Sequence, residues 1–144
     1  MAAKILLVED ENGMVELVTM ILSRNNYDLI YADSFATAVE ALMTNKPDVV
    51  LLNFFFPNVS GGKQEDIGLI LLKLIRDRWP SIKVIMFTGS TDKVSQAGQL
   101  GAFGYVLKGE NFVPEKFCKI IGLAIESNQR SQGKMIVQPA WLAA

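Results

Sequence analysis

The chain of 144 residues contains no histidine. That removes histidine-based catalytic triads, most zinc sites and any phosphohistidine donor. Cysteine is nearly absent too. Cys118 stands alone, which excludes an internal disulfide and fits a reducing cytoplasm. Charge of one sign is not in excess: 14 basic and 15 acidic residues leave a net charge of −1. Nothing in that balance steers the whole domain onto nucleic acid or anionic lipid. Long apolar runs are missing. The greasiest segment, Ile67 to Ile75, is short and carries Lys73, so no membrane span is expected. Met1-Ala2-Ala3-Lys4 leads into only four apolar residues and then acids, unlike a secretory signal.

What the chain does have is an alternation of strand and helix patterns. Its length suggests one domain, and a domain of this size buries roughly 68–70% of its unfolded surface. Strand-like runs are Lys4 to Val8, Asp28 to Tyr31, Val49 to Leu52, Lys83 to Phe87 and Tyr105 to Leu107. The third is continuously apolar, as expected of a strand covered on both faces. Between them lie apolar residues at helical spacing. The first set is Met14, Leu17, Val18, Ile21 and Leu22, with Asn12 or Asp10 as cap. The second is Phe35, Ala38, Val39, Leu42 and Met43, opened by Ser34. The third is Ile67, Ile70, Leu71, Leu74 and Ile75, ended by Trp79-Pro80. A short fourth helix capped by Thr91 or Asp92 runs to Leu100 and stops at Gly101. Pro114 opens the last helix, whose stripe is Phe117, Ile120, Ile121, Ala124 and Ile125. The pattern is (βα)5, an α/β doubly wound parallel sheet with helices on both faces. Residues 1–128 read as the domain, and 129–144 as a tail or the start of a linker.

Polar residues gather at the strand ends, where open parallel sheets carry their chemistry. The first run ends in Glu9-Asp10, the third in Asn53, the fourth in Thr88 and the fifth in Lys108. Two acids suit a divalent cation such as Mg²⁺. A lysine neutralises phosphoryl oxygens, a threonine donates to them, and Gly89 leaves room. The set lacks only a nucleophilic carboxylate, and the position suited to it holds Asn53.

In this order and spacing the pieces resemble a receiver domain of the two-component response regulators, over residues 4 to about 126. They are Ile5-Leu6-Leu7-Val8-Glu9-Asp10-Glu11, then Pro47-Asp48-Val49-Val50-Leu51-Leu52-Asn53 with Pro57 and Gly61, then Thr88-Gly89, then Gly101-Ala102-Phe103-Gly104-Tyr105-Val106-Leu107-Lys108. The resemblance implies a flavodoxin-like sheet of strand order 2-1-3-4-5. It makes Glu9 and Asp10 the acidic metal pair, with the backbone carbonyl of Phe55 as third ligand and Asn53 as a weak one. It makes Asn53 the phosphoacceptor position, Thr88 and Lys108 phosphoryl-sensing residues, and Tyr105 the aromatic that moves with Thr88. It also implies a sensor histidine kinase or a downstream output protein as partner. Self-association would use the face of the fourth helix, fifth strand and last helix.

Phosphorylated members carry Asp where this chain has Asn53, and an amide cannot form an acyl phosphate. The expected function is therefore a receiver-type signalling module, not an enzyme, that works by protein–protein interaction and holds Mg²⁺ weakly. Asn53 is natural, an engineered block of phosphorylation, or structurally neutral. Gly109 stands where most receivers have proline. Two other functions compete. A metal-dependent phosphohydrolase would have only Asp10 as nucleophile. A flavin or nucleotide carrier would want a phosphate cradle, where Glu9-Asp10-Glu11 repels and no G-x-G-x-x-G occurs. Tyr105 reads equally as a buried strand aromatic. Phe54-Phe55-Phe56 reads as core and loop packing, with Phe55 over the site mouth if the middle ring turns outward. Cys118 reads as packing, and Trp141 as a docking residue of the tail or an accident of the chain's end rather than a site.

Overall fold

The computed structural model describes residues 2–56 and 66–130. In chain order they form β1 (Lys4–Val8), α1 (Asn12–Arg24), β2 (Asp28–Ala32), α2 (Phe35–Asn45), β3 (Val49–Leu52), α3 (Ile67–Arg78), β4 (Lys83–Thr88), α4 (Val94–Gln99), β5 (Gly104–Leu107) and α5 (Pro114–Arg130). A single turn of 3-10 helix, Gly109–Asn111, joins β5 to α5. The strands are parallel and lie in the order β2-β1-β3-β4-β5, the flavodoxin-like arrangement expected from the sequence.

Side chains on a strand alternate between faces, and here the alternation divides the core in two. Leu6, Val8, Val50, Leu52, Val84 and Met86 pack with α2 and α3 on one side. Ile5, Leu7, Val49, Leu51, Ile85 and Phe87 pack with Val18 and Leu22 of α1 and Phe117, Ile120, Ile121 and Ala124 of α5 on the other. Burying each such side chain contributes roughly 1.5–3 kcal/mol before entropy is counted. The central strands are therefore fixed from both faces, and their ends become a rigid platform.

Local chemistry sets several element ends. Ser34 caps α2: its hydroxyl accepts from the Thr37 N–H, and the Thr37 hydroxyl accepts from the Ser34 N–H. Pro114 is the first residue of α5. Gly101 takes φ of +100° after α4, which a non-glycine residue adopts only under strain.

Some expectations are corrected. Glu11, not Asn12 or Asp10, precedes α1, and its side chain makes no capping bond. Lys93, not Thr91 or Asp92, precedes α4, because those residues are used in the turn before it: the Thr91 carbonyl accepts from Val94 N and the Asp92 N–H donates to Ser90 Oγ. Met43 and Ile70 lie outside the buried stripes, 61% and 47% exposed. In α3 the inward positions are Gly68, Leu69 and Leu72 beside Ile67, Leu71 and Ile75. Helix α5 extends to Arg130, and Ser127 within it is buried. Pro57, Gly61, most of the loop from Gly61 to Asp66 and Trp141 lie outside the described residues.

Candidate functional site

The strand register brings the predicted residues to one edge. Val8 pairs with Leu52, Leu52 with Met86, and Thr88 with Leu107. The residues that follow leave the sheet side by side, held by backbone bonds. Glu9 N donates to Ala32 O, Asn53 N to Val8 O, and Lys108 N to Thr88 O. An open cleft of about 460 Å³ results, lined by Glu9, Asp10, Glu11, Asn53, Phe55, Thr88, Gly89, Ser90 and Lys108.

Glu9 is the centre of this cleft. Its side chain is fully buried, and a buried carboxylate requires partners. It has four. Lys108 Nζ reaches Oε2 at 2.5 Å. Asn53 Nδ2 reaches Oε1 at 3.1 Å, and the backbone N–H groups of Asp10 and Glu11 reach the same oxygen at 3.1 and 3.3 Å. Asn53 is nearly buried and divides its amide between two acceptors, since Nδ2 also donates to the Phe55 carbonyl at 2.8 Å. That pairing fixes which way the amide points. Turned over, it would set Oδ1 against two acceptor oxygens. Lys108 is held further by Glu11, 3.8 Å away, and by the Phe87 ring, whose centroid lies 5.4 Å from Nζ.

The other expected residues have less central places. The Thr88 hydroxyl donates to Ser90 O at 2.9 Å and accepts from Ser90 N at 3.1 Å, so it is turned onto its own loop. Tyr105 is half-buried against the α2–α3 core and does not line the cleft. It borders instead a small recess with Val106, Leu107, Asn111, Val113 and Lys116. Phe54 and Phe56 are buried, while Phe55 is 42% exposed at the mouth. Lys93 Nζ lies over the Phe55 ring and pairs with Asp66. Half-buried Cys118 accepts from Asn25 Nδ2 at 3.6 Å.

Sequence reasoning missed Glu11, Ser90, Lys93 and Gly68. Glu11 was legible as the third acid of its run. Ser90 and Lys93 act through loop geometry, which no periodicity reports. Gly68 carries the strongest packing signal: a Cβ there would lie 2.4 Å from Asn53 O and 2.6 Å from Phe54 Cα. Only glycine lets α3 press onto the chain that positions Asn53.

The residues present fit a divalent cation poorly. The Phe55 carbonyl and both Glu9 oxygens already accept hydrogen bonds, and the Asn53 amide turns its donor side between them. Among the described residues no group of three or more Asp, Glu, His or Cys side chains is placed to hold a metal ion. The cleft remains negative overall, with three carboxylates and one ammonium along its lining. The field reaches Tyr31, whose phenol is held above its ordinary value by burial first, then by Asp33, Asp10 and Glu9.

A family model described as the response regulator receiver domain matches residues 5–121. Among curated proteins, the response regulator protein FleR of Pseudomonas aeruginosa is 31% identical over 110 residues, covering 75% of this chain and 22% of its own. The phosphate regulon transcriptional regulatory protein PhoB of Klebsiella pneumoniae is 32% identical over 112 residues, 75% of this chain and 46% of its own. The chain thus spans less than half the length of either. Among solved structures, the receiver domain of NtrX from Brucella abortus superposes with a TM-score of 0.74 at 26% identity. The match covers 85% of this chain and 98% of that one.

Proposed function

The chain belongs to the response regulator receiver domain family, and from that premise we propose that it is a receiver whose site residues are bonded to one another and that does not form an aspartyl phosphate. The observation that carries this reading is the Asn53 amide, bonded as a donor to Glu9 and to the Phe55 carbonyl. An amide nitrogen has its lone pair delocalised and is no nucleophile toward a phosphoryl group, and here its protons face inward. Lys108, the residue suited to neutralise incoming phosphoryl oxygens, is engaged with Glu9. Thr88 is engaged with Ser90.

The module then signals by protein–protein contact within a two-component pathway. A sensor histidine kinase or a downstream output protein is the partner class, and the α4–β5–α5 face is the contact surface, for a partner or a second copy. The face is weakly apolar, with Leu100 and Val113 exposed beside half-buried Phe103 and Tyr105. Mg²⁺ binding is too weak to occupy the pocket at millimolar concentration, since the ion must displace Lys108 and turn Asn53. The net charge of −1 gives this domain alone no general attraction for nucleic acid, and among the described residues no helix is long and apolar enough to cross a membrane. The arrangement favours neither rival. A phosphohydrolase would have to draw its nucleophile from Asp10 in place of Asn53, and three acids along the cleft disfavour the phosphate of a flavin or nucleotide.

Intact-mass measurement after incubation with acetyl phosphate and Mg²⁺ tests the reading. The native chain should gain no adduct, and Asn53→Asp should gain one that hydroxylamine removes. A Mg²⁺-dependent, hydroxylamine-sensitive adduct on the native chain would refute it.

A further inference from the structure

We infer that the Asn53 side-chain amide does a divalent cation's structural work in this pocket, so that the native chain folds and holds the site without metal. The inference deepens the reading above and rests on it only for the identity of the site. The disagreement between the residues and a metal site carries it.

Three oxygen-bearing groups converge at the ends of β1 and β3: the Glu9 carboxylate, the Phe55 carbonyl and the side chain at position 53. Oxygens brought together in a buried place repel unless a positive centre lies among them. A cation is one solution. The two N–H bonds of a primary amide are another. Asn53 Nδ2 sends one to Glu9 Oε1 at 3.1 Å and one to Phe55 O at 2.8 Å, which uses its whole donor capacity. The remaining charge on Glu9 is met by Lys108 at Oε2. One amide and one ammonium thus supply both parts of a cation's contribution, the geometric bridge and the charge.

The substitution Asn53→Asp exchanges the bridging nitrogen for an oxygen. That oxygen would face Glu9 Oε1 and Phe55 O with no proton between, beside a second carboxylate charge. The variant therefore gains stability from a cation where the native chain gains none. Gly68 shares in the device, because its bare Cα lets α3 hold Asn53 and Phe54 at this spacing. The Gly68 N–H also ties down the Phe54 carbonyl at 2.9 Å.

Thermal unfolding of the native chain and of Asn53→Asp, each in chelator and in millimolar Mg²⁺, tests the inference. The native Tm should be the same in both solutions. Asn53→Asp should melt lower than native in chelator and recover most of the loss in Mg²⁺. A native Tm that rises with Mg²⁺ as far as the variant's does would overturn the inference. So would a variant as stable as native in chelator, or one whose loss Mg²⁺ leaves unchanged. Should the variant fail to fold, the native chain alone decides. Its Asn53 side-chain N–H resonances should keep the same shifts in chelator and in millimolar Mg²⁺, and a saturating shift with Mg²⁺ would overturn the inference. A native chain that takes phosphate but stays insensitive to Mg²⁺ would refute the proposed function and leave this inference standing.

Discussion

Lys108 Nζ lies 2.5 Å from Glu9 Oε2, and the pair joins the ends of β5 and β1 across the cleft. Glu9 is fully buried and Lys108 nearly so. The lysine is therefore a structural counter-ion in this state and not a free reporter of an incoming group.

Removing the ammonium leaves a buried carboxylate short of its strongest partner. Lys108→Met should destabilise the domain by about 3–5 kcal/mol, the range for breaking a buried ion pair from one side. Glu9→Gln combined with Lys108→Met should recover much of that loss, because no charge is then stranded. Urea unfolding of the two variants checks both statements. A single variant within about 1 kcal/mol of native, the ceiling for a surface pair, would show that the pair is not buried.

Gly68→Ala should destabilise by about 1–3 kcal/mol, the cost of forcing atoms into a packed place. The added Cβ meets backbone atoms of Asn53 and Phe54, which cannot swing aside as a side chain would. Gly122 in α5 is the control: a Cβ there meets nothing within 4 Å. Gly122→Ala should stabilise by roughly 0.5–1 kcal/mol through helix propensity alone. Equal effects of the two changes in chemical denaturation would contradict the packing assigned to Gly68.

How far the sequence reveals this arrangement depends on which physics decides each part. Val49 to Leu52 is legible as a central strand because apolar residues at every position have no other use. Ser34 and Pro114 are legible because capping and ring geometry are local. The strand-end residues follow once the strands do, so Glu9, Asn53, Thr88 and Lys108 are legible at their strand ends. The facing of α3 is not legible. Helical spacing alone admits Ile70, and what turns Gly68, Leu69 and Leu72 inward is contact with the end of β3. Nor does the sequence say whether Glu9 or Asp10 is the buried acid, or that Asn53 donates to it. Those depend on distances between strands far apart in the chain.

Tyr31 reports the charge of the acidic end. Its phenol is raised by burial, then by Asp33, Asp10 and Glu9. Asp33→Asn and Asp10→Asn should each bring its titration part of the way back, followed by ultraviolet absorbance against a Tyr27→Phe background, since Tyr27 is raised too. The sign for stability follows. With the folded value above the unfolded one near 10, the contribution is whole below that pH. It is lost as pH rises through the folded value. Tyr31→Phe should flatten that alkaline loss, and an unchanged profile would contradict the assignment.

The contact face predicts a spatial pattern. Gln96→Glu and Gln99→Glu, on exposed positions of α4, should weaken binding of the cognate partner or self-association and leave the fold intact. Glu40→Lys on α2 should leave association unchanged. Light scattering and pull-down with the partner kinase or output protein check this. The reverse pattern would place the interaction on the opposite side of the sheet.

The most direct test of the central claim is a crystal structure grown with Mg²⁺ and beryllofluoride, which mimics a phosphoryl group on a carboxylate. The account predicts Asn53 Nδ2 still bonded to Glu9 and to the Phe55 carbonyl, Lys108 still on Glu9, and neither ion in the cleft. Asn53 turned over, with a cation on the Phe55 carbonyl or fluoroberyllate against its side chain, would contradict it.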